Sequence, residues 1–67
     1  MSVAKVTEIS ASSPNSFDDA VKIGIARASK TLSGIKSAWI NEMNVDVRDG
    51  QVTEYRVNMK ITFILKD

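Results

Sequence analysis

The chain has 67 residues, of which 43% are hydrophobic, and nine basic and eight acidic side chains give it a net charge of +1. A chain of this length forms one small domain that buries only about 60% of the surface its unfolded form exposes. It contains no Cys and no His, which excludes disulfides and the common zinc ligands as reinforcements. Self-association is the reinforcement that remains.

Charge and hydropathy also argue against nucleic acid and membranes as partners. Positive and negative residues are interleaved, so there is no basic stripe of the kind that binds a phosphate backbone. No run approaches the roughly 18 apolar residues of a membrane span. Residues 1–5 lead into alternating polar and apolar positions rather than into the apolar centre of a signal peptide. We therefore expect a cytoplasmic protein that binds neither nucleic acid nor membrane.

The first predicted element is a β-strand over residues 3–11. Here β-branched and charged side chains are mixed, and neither Gly nor Pro occurs. The next residues, Ser-Ser-Pro-Asn-Ser at 12–16, are turn-forming types and are expected to end the strand.

A helix is predicted to follow over residues 17–32. Ser16 is placed as its N-cap, with Asp19 three residues later in a capping-box arrangement, and Gly34 is placed to stop it. Apolar residues recur at spacings of three and four, as an amphipathic helix requires. The predicted buried face consists of Phe17, Val21, Gly24, Ile25, Ala28 and Leu32.

The remainder is predicted to be a β-hairpin, because Asp49-Gly50 favours the type I′ turn that joins antiparallel strands. The flanking stretches 35–48 and 51–66 are the two strands. The last strand is expected to lie between the other two, which makes all neighbours antiparallel. This is an α+β fold of βαββ order, with one helix on one face of a three-stranded sheet. The residues of the last strand expected to face the helix are Tyr55, Val57, Met59, Ile61, Phe63 and Leu65.

The turn also predicts on which face of the sheet Trp39 lies. A two-residue turn pairs Trp39 with Lys60 and Ile40 with Met59, unless a β-bulge reverses the parity. Ala38 and Ile40 are then expected in the core beneath the helix. The opposite face is expected to carry Ser37, Trp39, Asn41 and Met43, beside Arg56, Asn58 and Lys60.

Catalytic motifs are missing from the sequence. It has no His for general base catalysis, no Cys nucleophile, no glycine-rich phosphate loop and no HExxH motif. The acidic stretch 44–50 lacks the Gly and Glu spacing of an EF-hand and is better interpreted as the hairpin turn. We therefore predict a protein that is not an enzyme. Calcium held between subunits by Glu42 or Asp46 remains an alternative.

Trp39 and the basic residues near it are the candidate binding residues. An indole on an open sheet can stack on a planar ring, but it more often fills a subunit interface. Arg56 and Lys60 can hold a phosphate, or they can pair with acids such as Glu42 or Glu54 on the same face.

Taken together, these segments resemble the dodecins, a family of small βαββ flavin-binding proteins. The similarity covers essentially the whole chain. It implies a single dodecin-like domain over residues 1–67 and a hollow shell of twelve subunits that stores flavins, FMN or riboflavin, with coenzyme A as a second ligand in some members. It rests on Val-Thr-Glu-Ile at 6–9 followed by Ser-Ser-Pro, on Phe-Asp-Asp-Ala-Val at 17–21, on Ala-Arg-Ala-Ser-Lys-Thr-Leu at 26–32, and on Asp-Gly at 49–50, Glu-Tyr-Arg-Val at 54–57 and Ile-Thr-Phe at 61–63.

The resemblance also implies where a flavin would bind. In the family, paired flavins stack between tryptophans and a glutamine holds the ring edge. Ser37 occupies the tryptophan position here, Trp39 lies two residues further along the same face, and Arg56 occupies the glutamine position. The predicted cofactor site is therefore Ser37, Trp39 and Arg56. The resemblance extends to dodecin-like proteins without the flavin tryptophan, some of which bind calcium.

We thus expect a non-enzymatic flavin-binding and flavin-storing homododecamer. The alternative is an assembly of the same fold that lacks tight flavin binding. Such an assembly binds a metal ion such as calcium or another, anionic ligand, or it is mainly structural.

Overall fold

The computed structural model describes residues 3–65 and has the strand, helix, strand, strand order that the sequence predicts. The three strands form one sheet in the order β1-β3-β2, and both neighbouring pairs are antiparallel, as predicted. The predicted last residue of the final strand, Lys66, lies outside the described residues. The elements are β1 (Ala4–Ser13), α1 (Phe17–Ala28), β2 (Ile35–Arg48) and β3 (Gln51–Ile64).

Polar side chains join the end of β1 to the start of α1. The strand continues through Ser13, two residues further than predicted, and stops before Pro14. Ser16 is the N-cap, and its hydroxyl accepts a hydrogen bond from the backbone N–H of Asp19 at 3.0 Å. The Asp19 carboxylate does not close a capping box but accepts hydrogen bonds from the fully buried Ser13 hydroxyl at 2.6 Å and from the Asn15 amide at 3.2 Å. These two bonds, the first above all, lower the pKa of Asp19.

The helix ends at Ala28, so the predicted end at Leu32 is wrong. The Ser29 hydroxyl donates to the carbonyl four residues earlier at 2.8 Å, and the Thr31 hydroxyl donates to the Ala28 carbonyl at 3.3 Å. The backbone N–H of Thr31 bonds to the same carbonyl, only three residues back, which tightens the turn. Short hydroxyl side chains thus add hydrogen bonds to carbonyls of the last helical turn, which also accept the backbone N–H groups of Ser29 and Leu32, and regular helix ends well before the predicted stop at Gly34.

The core lies between α1 and the β1–β3 pair. At one end of it Phe17 meets Tyr55 edge to face, with ring centroids 5.1 Å apart. Leu65 does not face the helix as predicted but is exposed beyond the end of β3. Among the described residues, the buried apolar side chains are Ala20 and Ala28 of the helix and Val57, Met59 and Ile61 of β3, all but Ala20 as predicted.

The register around Trp39 is confirmed, although the hairpin contains bulges. Trp39 pairs with Lys60 as predicted. This agreement arises because an extra residue in β3, Thr53, is offset by an extra residue in β2, Asn41. The two shifts cancel for the part of β2 that contains Trp39.

Between the two bulges the pairing is displaced by one residue, and the prediction for Met43 is wrong. Met43 pairs with Val57, which is buried beneath the helix, so Met43 lies on the helix side of the sheet. Glu42 and Asn44 occupy the opposite side instead, where they pair with Asn58 and Arg56.

Helix α1 packs on β1 and β3 and leaves the helix side of β2 largely uncovered. The molecule is 51 Å long, whereas twelve helical residues span about 18 Å. Ile40 is therefore not a core residue as predicted but is 42% exposed. The uncovered apolar side chains, which we call the hairpin strip, are Ile40, Met43, Val45, Val47 and Val52. Within residues 3–65, no helix is long and apolar enough to span a membrane.

Candidate functional site

The face of the sheet away from α1 carries no helix, and we call it the open face. Directly opposite residues of antiparallel strands point to the same side, so the pairing defines which residues belong to it. Trp39 lies on this face as predicted, and 59% of it is exposed. The open face comprises Val6, Glu8, Ser10 and Ser12 of β1, Glu54, Arg56, Asn58, Lys60 and Thr62 of β3, and Ser37, Trp39, Glu42, Asn44 and Asp46 of β2.

Trp39 belongs to a row of three side chains that crosses the sheet. Lys60 is its partner on β3, and Glu8 is the partner of Lys60 on β1. Directly opposite residues have Cβ atoms about 5 Å apart, so the indole and the lysine are immediate neighbours. Ser37 lies in the adjacent row, opposite Thr62. The structure therefore brings two of the three predicted site residues, Ser37 and Trp39, next to each other.

The bulged residue Asn41 also reaches the open face, as predicted. Its amide nitrogen lies 3.4 Å from a carboxylate oxygen of Glu8 and 3.5 Å from the amide oxygen of Asn58, at the long limit of hydrogen bonding. Bulges re-aim side chains and are frequent beside functional sites. This one separates the row of Trp39 from the rows that contain Glu42 and Asn44.

Arg56, the third predicted site residue, lies away from Trp39. It is four residues from Lys60 along β3, a distance of about 13 Å. Its guanidinium donates to the Asp46 carboxylate at 3.0 Å, in an ion pair in which both side chains are a little under half exposed. Arg56 therefore has a partner within the chain and does not join Ser37 and Trp39.

The two ends of the open face differ in charge. Near Arg56 lie the carboxylates of Asp46, Glu42 and Glu54, and one oxygen of Glu54 is buried without a hydrogen-bond partner among residues 3–65. A cleft of about 270 Å³ at this end is lined in part by Glu42 and Arg56. In the part of the chain that the structure describes, no three acidic side chains come together as a metal site.

A second concave surface lies on the other side of the molecule. It is a groove of about 530 Å³ between the free edge of β1 and α1. None of the predicted site residues lines this groove. Its lining is mostly apolar and includes Ile9, Ala11, Ile23, Gly24, Ala28 and Leu32.

Glu8 is the residue of the Trp39 row that the sequence did not single out. The pairing of Trp39 with Lys60 follows from a two-residue turn, which sets a register by itself. No turn connects β1 to β3, so the pairing of Glu8 with Lys60 has no local signal. The β-branched and charged residues around Glu8 indicate only that it lies in a strand.

These features define a small α+β domain whose helix-free sheet face presents an exposed aromatic residue among charged side chains. The Dodecin family model matches residues 3–66, and the chain belongs to the dodecin family.

Solved structures agree with this assignment. The dodecin of Streptomyces davaonensis is 35% identical, with 98% of this chain and 97% of that chain covered and a TM-score of 0.94. The dodecin of Streptomyces coelicolor is 32% identical, with coverage of 98% and 94% and a TM-score of 0.94. The calcium dodecin of Mycobacterium tuberculosis, a calcium-chelating antigen with a novel calcium-binding site, is 28% identical, with coverage of 96% and 91% and a TM-score of 0.82. No curated protein matches the chain.

Proposed function

We propose that this dodecin-family chain is a cytoplasmic, non-enzymatic protein that assembles as a homododecamer and binds and stores a flavin. The observation that carries the proposal is the exposed indole of Trp39 on the helix-free face. Stacking of a planar ring on such an indole contributes about 0.5–1.5 kcal/mol beyond the burial of area. Ser37, two residues away on the same face, has a short and exposed side chain.

Self-assembly is supported by the apolar surface that one chain leaves exposed. Contiguous apolar patches are uncommon on monomers and mark contacts between chains. The hairpin strip is such a patch, and the apolar groove between β1 and α1 is a concave surface on the same chain. A strip that enters the groove of the next copy makes a head-to-tail contact, and such contacts give closed assemblies when the rotation that relates the copies closes.

We propose FMN or riboflavin as the flavin. Two further expectations, the ring-edge role of Arg56 and the binding of coenzyme A, are not part of this proposal. Because Arg56 is paired with Asp46, its role as a ring-edge contact stays a prediction of the sequence. Coenzyme A as a second ligand likewise stays an expectation from the family resemblance.

Flavin titration of the purified protein tests the proposal through Trp39. We expect riboflavin or FMN fluorescence to be quenched on binding, and the affinity to fall about fivefold or more in Trp39→Ala, as the loss of one stacking contact implies. Trp39→Phe should retain part of the affinity. Val3→Ala, which shortens an exposed side chain away from the Trp39 row, serves as the control. Riboflavin binding that is tight and survives Trp39→Ala would contradict this placement of the site.

A second candidate function is favoured by the acidic end of the open face. Glu42 and Asp46 lie on the open face near Arg56, and carboxylate oxygens are ligands of calcium. In this alternative the assembly binds calcium or another ion between subunits, or is mainly structural, and lacks tight flavin binding. Calorimetric titration with calcium separates the two. Heat of binding that disappears in Glu42→Gln or Asp46→Asn, in a protein that binds no flavin, would favour the alternative.

A further inference from the structure

The two cations of the open face have different electrostatic surroundings. Arg56 is 3.0 Å from the Asp46 carboxylate, and Glu42 and Glu54 lie close by, so an anion that approaches Arg56 meets three negative charges. Lys60 has one acidic partner across the sheet, Glu8, and forms no ion pair with it within the described residues.

Lys60 is also the cation that adjoins the aromatic residue. It is the direct cross-strand partner of Trp39, whereas Arg56 lies about 13 Å further along β3. A ring stacked on the indole therefore has the lysine ammonium beside it. A lysine carries a compact charge at the end of a flexible side chain. Its ammonium group can therefore reach the phosphate that FMN carries on the chain attached to its ring.

We infer that Lys60, and not Arg56, selects the charge of the ligand, so that the site prefers FMN to uncharged riboflavin. This inference rests on the proposed flavin binding and adds the residue that determines specificity. Glu8 opposes the preference, because its carboxylate repels the phosphate and attracts the same ammonium. In the row of Trp39, Lys60 and Glu8, the lysine thus creates the preference for FMN and the glutamate limits its size.

The test compares riboflavin and FMN affinities in the parent protein and in three variants by flavin fluorescence. We expect the parent to prefer FMN about fivefold, the size expected of one partly exposed ion pair. Lys60→Gln should bring the two affinities together, Lys60→Arg should keep the preference, and Glu8→Gln should increase it. Added salt should reduce the preference in the parent, because it screens an exposed pair.

Two further variants separate this inference from the alternatives. Lys22→Gln removes an exposed cation from the helix and controls for a change in net charge. In Arg56→Gln the preference for FMN should persist. The inference is overturned if the parent binds both flavins equally, or if Arg56→Gln rather than Lys60→Gln abolishes the preference. Absence of binding for either flavin overturns the proposed function as well.

Discussion

At the scale of single residues, the ionised carboxylate of Asp19 connects the end of β1 to the start of α1. The buried Ser13 hydroxyl and the Asn15 amide both donate to its carboxylate, and these bonds lower its pKa in the folded chain. A carboxyl group whose pKa is lower in the folded state stabilises that state above its unfolded pKa, and the contribution disappears as the pH falls through the folded pKa.

The Asp19→Asn variant should reveal this pH dependence. We expect it to be less stable than the parent at pH 7, and the difference in unfolding free energy should shrink below about pH 4, where Asp side chains become protonated. The difference is measured by denaturant unfolding of both proteins at several pH values and one fixed protein concentration. Asp18→Asn, at an exposed neighbour outside this hydrogen-bond network, is the control. A difference that stays constant from pH 7 to pH 3 would contradict the assigned role.

At the scale of secondary-structure elements, the close contact between α1 and the sheet depends on Gly24. A Cβ atom at this position would lie 2.5 Å from the Met59 methyl carbon and 3.0 Å from the Cβ of Ala11. Met59 is fully buried and Ala11 has no side-chain torsion by which it can move away. The helix therefore approaches β1 and β3 more closely than a larger residue permits.

The Gly24→Ala variant sets helix propensity against this packing. Ala is favoured over Gly by about 1 kcal/mol inside a helix, whereas overpacking a core costs about 1–3 kcal/mol. We expect a net loss of roughly 1 kcal/mol in unfolding free energy, measured by denaturant titration at fixed protein concentration. Lys22→Ala, at an exposed helix position, should be nearly neutral. Stabilisation by Gly24→Ala would show that the helix can move away from the sheet at little cost.

At the scale of the whole molecule, one chain is an elongated body whose helix covers only part of its sheet. The long hairpin extends past the helix, so its apolar strip and the face around Trp39 are both exposed in the single chain. A core this small contributes little stability by itself. In the proposed assembly the hairpin strip is buried, and the exposed indole becomes part of an enclosed site.

The Val45→Glu variant tests assembly through the hairpin strip. The parent should scatter light as a particle of about twelve times the 7.3 kDa of one chain. A carboxylate introduced into a buried contact loses its hydration without gaining a partner, so Val45→Glu should give a much smaller particle. Lys22→Gln, an exposed helix substitution that lowers the net charge by the same amount, should leave the size unchanged. A parent that stays a folded monomer at micromolar concentration would contradict the proposed assembly.

The sequence by itself determined the order and type of the elements, the position of the β3 strand and the face on which Trp39 lies. These follow from short-range physics: the period of apolar residues, the N-cap at Ser16, and the turn at Asp49 and Gly50, both of which adopt the positive φ angles of a type I′ turn. The register of Trp39 survived two bulges only because their shifts cancel.

Tertiary structure alone decided where the helix ends, which strands it covers and which charges meet. The bulge at Asn41 moved Met43 to the helix side, and a polar residue in a strand carries no local signal for such a bulge. The pairing of Arg56 with Asp46 depends on the same displaced register, whereas its distance from Trp39 follows from the undisplaced pairing of Trp39 with Lys60. Contacts between residues far apart in the chain are set by the packing of whole elements, and local propensity does not encode that packing.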